Sequence, residues 1–102
     1  MKALMSLLLA LASFTVMAQN YPAPKQGSHV IRDFKFHTGE VLPELRIAYT
    51  TVGEPSGEPV IIMHGTTGSG TGFLSAGFAG ELFGPGQALD AKRYYIILPD
   101  AV

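Results

Sequence analysis

The sequence predicts an α/β fold in which an antiparallel hairpin leads into parallel strands. Three observations carry this. Val30–Phe36 and Leu45–Val52 are short β-rich runs with alternating faces, as in half-buried strands. Val60–Met63 and Tyr94–Leu98 are instead apolar throughout, the pattern of strands covered on both faces. The first of these apolar runs, within Pro59–Gly72 (PVIIMHGTTGSGTG), empties through His64-Gly65 into glycines and hydroxyl residues. That is where α/β proteins aim backbone N–H groups at an anion.

Length and composition narrow the possibilities first. The chain has 102 residues and a formal net charge of −1, so nothing in the balance points to nucleic acid or an anionic membrane surface. It contains no cysteine, which excludes disulfides, Cys zinc sites and thiol nucleophiles.

Residues 1–18 read as a secretory signal peptide: Met1-Lys2 is positive, Ala3–Val16 is mostly apolar, and Val16-Met17-Ala18 offers a cleavage site before Gln19. An uncleaved anchor would need about 20 apolar residues to span a bilayer, and this run is shorter. The expectation is therefore a secreted or periplasmic protein with no stable membrane anchor. Residues 19–28 (Gln19-Asn20-Tyr21-Pro22 onward) carry two prolines and no periodicity, and read as a flexible mature N-terminus. Residues 29–102 are the candidate domain. It would be small for an exported protein without covalent staples.

Within that domain, Val30–Phe36 places Arg32, Phe34 and Phe36 on one parity and Asp33 and Lys35 on the other. His37-Thr38-Gly39-Glu40 is a turn, with Gly39 free to take a positive φ. In Leu45–Val52, Leu45, Ile47, Tyr49 and Thr51 share a face, completing the hairpin. Gly53–Pro59 is a loop with two glycines and two prolines, followed by the central strand Val60–Met63.

Phe73–Gly86 has partly helical spacing but four glycines, each costing about 1 kcal/mol relative to Ala inside a helix. It reads as a short, irregular helix near Ala76–Leu82, stopped by Gly84-Pro85-Gly86. Tyr94–Leu98 is the last strand, ended by Pro99-Asp100. A parallel sheet needs crossover helices on its faces, and no long amphipathic helix is present. The domain looks cut off.

The chemistry of the Gly-rich loop can be narrowed. The P-loop pattern fails because Gly70 is followed by Thr71-Gly72 where a lysine is required, and G-x-G-x-x-G fails from both Gly68 and Gly70. Half of an oxyanion hole fits better. His-Gly at the end of a strand, followed by small residues, turns the backbone sharply and points an N–H into a cleft, and by position the donor is Thr66.

His64 reads as structural support of that loop rather than as a base. His29 and His37 have no third ligand at a metal spacing, so no metal and no cofactor is expected. No nucleophile is apparent either. The nearest approach to G-x-S-x-G, Phe73-Leu74-Ser75-Ala76-Gly77, has Phe in place of the first glycine and follows no strand. Asp100 follows a strand but has no downstream histidine. Glu40, Glu44, Glu54 and Glu58 read as solvated turn residues.

Three blocks then resemble a known family: Thr38–Glu54 (TGEVLPELRIAYTTVGE), Pro59–Gly70 (PVIIMHGTTGSG) and Leu82–Asp100 (LFGPGQALDAKRYYIILPD). In this order they look like the N-terminal third of the α/β-hydrolase family that includes homoserine O-acetyltransferase. The resemblance implies a mostly parallel sheet with an antiparallel start and a Ser-Asp-His triad working through an acyl-enzyme. Only the oxyanion loop maps onto this chain, at Gly65 and Thr66; the triad would lie beyond Val102.

Two features depart from the acetyltransferases. They typically have His-Ala-Leu-Thr-Gly where this chain has His64-Gly65-Thr66-Thr67-Gly68, and they work in the cytoplasm, whereas this chain carries an export signal. Both departures suit an exported hydrolase cleaving an ester or amide, with a small acyl compound as its substrate. The acyltransferase and a non-catalytic exported module are the alternatives.

Overall fold

The structure, a computed structural model, describes residues 19–102; the expected signal peptide lies outside the described residues. Strands β1 (Lys25–Lys35) and β2 (Val41–Val52) form an antiparallel hairpin. β3 (Glu58–Ile61) follows, then a 3-10 turn at Gly70–Phe73, a single-turn helix α1 (Ala79–Leu82), and β4 (Tyr94–Pro99). The sheet order is β1-β2-β4-β3, with β2 and β4 antiparallel and β3 and β4 parallel. The expected change from hairpin to parallel pairing thus takes place at β4, which touches both regimes.

The hairpin turns where expected. Gly39 has φ 94°, its N–H donates to the Phe36 carbonyl at 2.9 Å, and the Phe36 N–H donates to the Glu40 carbonyl at 2.8 Å. Phe34 and Phe36 share a face and meet edge to face, 5.1 Å between ring centroids. The strand itself starts earlier than the alternation suggested. Lys25, Gln26, Gly27 and Ser28 pair in register with Thr51, Thr50, Tyr49 and Ala48, so part of the stretch read as a flexible N-terminus is strand. Gly27 permits this, since a Cβ there would lie 2.8 Å from the Tyr49 ring. Ahead of the strand, Tyr21 packs edge to face on Phe83 and Asn20 Nδ2 donates to the Gly80 carbonyl at 3.0 Å.

Two acidic residues expected in turns are in strands. Glu44 lies in β2 beside Arg32 and Arg46, at 3.8 and 3.1 Å, and Glu58 opens β3.

Register assigns the faces, because directly paired residues project to the same side. Val52 pairs with Ile96, Thr50 with Leu98 and Val60 with Ile96, so these residues share one face. The helical stretch packs there, and Val52, Ala79, Phe83, Ala91, Ile96 and Leu98 form the buried core. The opposite face carries Ile61 and Met63, 62% and 77% exposed. β3 was expected to be covered on both faces; the described residues cover one.

The helix is shorter than expected, four residues rather than Ala76–Leu82. Phe78 at its start offers no side-chain cap, and Gly77 and Gly80 weaken the turn. What holds it is the chain folding back. Leu89 and Ala91 N–H groups donate to the Leu82 and Phe83 carbonyls at 2.8 and 3.0 Å, satisfying acceptors that a helix end leaves open.

Candidate functional site: the loop between strand and 3-10 turn

The site is built from the exit of β3 and the exit of β4, which the parallel pairing brings side by side. After Ile61, the Ile62 N–H still donates to the Ile97 carbonyl at 3.0 Å, and the chain then leaves the sheet at Met63 and His64. Gly65 to Gly68 make a turn, with the Gly68 N–H donating to the Gly65 carbonyl at 3.0 Å. Thr66 and Thr67 are its two central residues, and both are exposed.

The orientation of one peptide group follows from these contacts. The Gly65 carbonyl also meets His64 Nδ1 at 2.7 Å, while His64 Nε2 accepts the Ala101 N–H at 3.0 Å. An imidazole nitrogen that accepts carries no proton, so the proton sits on Nδ1, and Nδ1 donates to Gly65. Two donors therefore hold the Gly65 oxygen. The Gly65–Thr66 peptide is planar and trans, so its N–H points opposite to its C=O. Fixing the Gly65 oxygen against the loop fixes the Thr66 N–H away from it. No acceptor for that N–H is found among the described residues.

His64 bridges the loop to the end of β4 through its two ring nitrogens. Gly65 is not required by packing: a Cβ there meets nothing within 4 Å, so the Gly-for-Ala departure is compatible with the same turn.

Two participants were missed in the sequence. Asp100 Oδ1 accepts the Gly70 N–H at 2.7 Å, where the 3-10 turn begins, and Gly70 is buried where a Cβ would collide with the Leu98 carbonyl. The only signal for Asp100 was its place directly after an apolar strand. His64 and Asp100 also border a groove of about 450 Å³ on the open face of the sheet, lined otherwise by Ile47, Ile61, Met63, Pro99, Ala101 and Val102.

Other candidates are not brought together. Ser69 and Thr71 hydroxyls lie 3.1 Å apart on the exposed loop, with no histidine on either. Among the described residues, no three His, Asp or Glu side chains cluster as a metal site would require. No helix among them is long and apolar enough to cross a membrane.

Comparison with known proteins adds an independent line. No family model matches the chain. In sequence it is similar to homoserine O-acetyltransferase of Haloferax prahovense, 37% identical over 78 residues that cover 66% of this chain and 19% of that protein. The homoserine O-acetyltransferase of Thermobifida fusca is 31% identical over 91 residues, covering 79% of this chain and 24% of that protein. The chain thus spans about a fifth of the length of the curated relatives it matches.

In structure it is similar to esterase E22, with a TM-score of 0.63 and 18% identity over 78% of this chain and 24% of that one. Homoserine O-acetyltransferase from Staphylococcus aureus gives a TM-score of 0.55, also at 18% identity, over 78% of this chain and 25% of that one. The described residues therefore form part of an α/β-hydrolase fold, and the sequence places the chain on the homoserine O-acetyltransferase-like branch of that family.

Proposed function

We propose that this chain supplies one donor of an oxyanion hole, the Thr66 N–H, to an exported α/β-hydrolase that cleaves an ester or amide. The observation that carries the reading is the Gly65–Thr66 peptide, whose oxygen is held by two donors and whose N–H faces outward without a protein acceptor among the described residues. In acyl transfer a nucleophile adds to the substrate carbonyl, the carbonyl oxygen becomes an oxyanion, and the leaving group departs to give the acyl-enzyme. Water then attacks, a second oxyanion forms, and the acid is released. A pre-placed N–H stabilises the oxyanion in both halves and is worth roughly 3 to 4 kcal/mol.

The nucleophile, its histidine and its acid are assigned to the longer protein, since this sequence contains no G-x-S-x-G turn. Export rests on residues 1–18. The test of that part is the mature N-terminus, expected at Gln19; a protein retaining Met1–Ala18 in the cytoplasm contradicts it.

The donor is tested in the full-length protein by Thr66→Pro. Proline lacks the N–H and suits the first central position of a turn, so the donor is lost while the turn is kept. Hydrolysis of an activated ester is expected to fall about 100- to 1000-fold in kcat, with Thr66→Ala, which keeps the N–H, falling far less.

A second reading is an acyltransferase, favoured by the relatives named above, which are homoserine O-acetyltransferases at 31–37% identity. Supplying the full-length protein with acetyl-CoA and homoserine separates the two. Acetyl transfer outpacing ester hydrolysis selects the acyltransferase.

A further inference from the structure

We propose that Asp100 is a positioning residue for the oxyanion-hole loop, setting the direction of the Thr66 N–H from the end of β4; this rests on the reading of Thr66 as donor. The loop His64–Gly70 is gripped at both ends by two consecutive residues. At its start, the Ala101 N–H binds His64 Nε2 at 3.0 Å, and His64 Nδ1 binds the Gly65 carbonyl at 2.7 Å. At its end, the Gly70 N–H binds Asp100 Oδ1 at 2.7 Å in a partly buried setting. Without the Asp100 grip the loop keeps its hold at His64 and its own Gly68–Gly65 bond, but its Gly70 end is no longer tied to β4.

Asp100 is suited to the task because its own backbone is fixed. Its N–H donates to the Ala48 carbonyl of β2 at 2.8 Å, so the carboxylate is carried by the central strands of the sheet. Gly70 is equally constrained on its side. It is buried, and a Cβ would collide with the Leu98 carbonyl and lie 3.2 Å from Asp100 Oδ1. The Asp100–Gly70 bond therefore ties the end of β4 to the loop at a buried glycine. Asp100 touches no reacting atom in this scheme. It acts through the peptide at Gly65–Thr66.

The test is a double-mutant cycle on the full-length protein, read as kcat and KM for an activated ester. Asp100→Ala is expected to lower kcat about tenfold or more, a loss in line with misplacing a group by a fraction of an ångström to an ångström, with little change in KM. Asp100→Asn keeps the Oδ1 acceptor and is expected to recover most of that loss. In a Thr66→Pro background, where no donor is left to misplace, Asp100→Ala is expected to cost nothing further.

Should Asp100→Ala not fold, Asp100→Leu, near in size and without an acceptor, takes its place in the cycle. Equal losses in both backgrounds, or an Asn variant no better than Ala, overturn the proposal for Asp100 while leaving Thr66 as donor. No loss from Thr66→Pro alone overturns the donor reading itself, and the role of Asp100 with it.

Discussion

Gly70 leaves no room for a side chain between the Leu98 carbonyl and the Asp100 carboxylate. Gly70→Ala is expected to destabilise the protein by about 1 to 3 kcal/mol, the usual cost of overpacking, checked by urea unfolding. Gly53 is constrained differently, by φ 100° and by the carbonyls of Tyr94 and Ala91 at 2.5 and 2.7 Å from a Cβ position. Asp90 shows how one carboxylate can organise a glycine-rich turn. It accepts the Gly86 N–H on Oδ2 and the Lys92 N–H on Oδ1, both at 2.9 Å. The Gly86 bond first, then the Lys92 bond, hold its carboxyl below the ordinary aspartate range, with smaller help from the Lys92 and Arg93 charges.

A lowered pKa in the folded state means that Asp90 contributes stability fully above the ordinary aspartate value, near about pH 4. That contribution is lost as pH falls through the lower folded value. Asp90→Asn is expected to flatten the acid end of the stability–pH curve there, followed by thermal melts across that range. At this scale the turn after His64 was legible from its glycines, and the contacts of Asp100 were not. A motif is local, whereas Gly70 and Asp100 are 30 residues apart, and His64 and Ala101 are 37 apart. Only the β3–β4 register brings those pairs into contact.

The strands were the most legible elements, for reasons visible in their residues. Alternation in β2 puts Leu45, Ile47 and Tyr49 on one half-buried face, and the run Tyr94–Leu98 becomes a central strand paired with β2 on one side and β3 on the other, with Ile96 and Leu98 fully buried. Ile96→Ala removes a side chain packed among Val52, Phe83 and Leu98 and is expected to cost about 2 to 5 kcal/mol, seen as a lower denaturant midpoint. The extension of β1 back to Lys25 was not legible. Gln26-Gly27-Ser28 has no apolar pattern, and its strand conformation comes from continuing the register against β2. Helix α1 was half legible, because glycines that weaken a helix say where it is poor but not where it stops. The fold-back bonds from Leu89 and Ala91 decide that.

For the molecule as a whole, the sheet arranges two strand exits next to each other and gives the loop between β3 and the 3-10 turn a rigid support. One face of the sheet is packed by the helical stretch, and Ile61 and Met63 are exposed on the other. The fold class was legible because the switch from alternating to continuous apolar strands is a property of the whole chain. That one face of β3 is left open by the described residues was legible from the lack of a long amphipathic helix, not from β3 itself, since an apolar run reads the same whether or not a partner is present. On the proposed account, oxyanion stabilisation and nucleophilic attack belong to different parts of a longer protein. The 102-residue chain alone is therefore expected to hydrolyse an activated ester no faster than buffer, a comparison one stopped-time assay makes.

The most direct measurement is kcat for an activated ester in the full-length protein carrying Thr66→Pro, set beside Thr66→Ala. The account predicts a loss of about 100- to 1000-fold for proline and a far smaller one for alanine, with both variants folded. Equal activities for the two would show that the N–H of Thr66 is not used, and would contradict it.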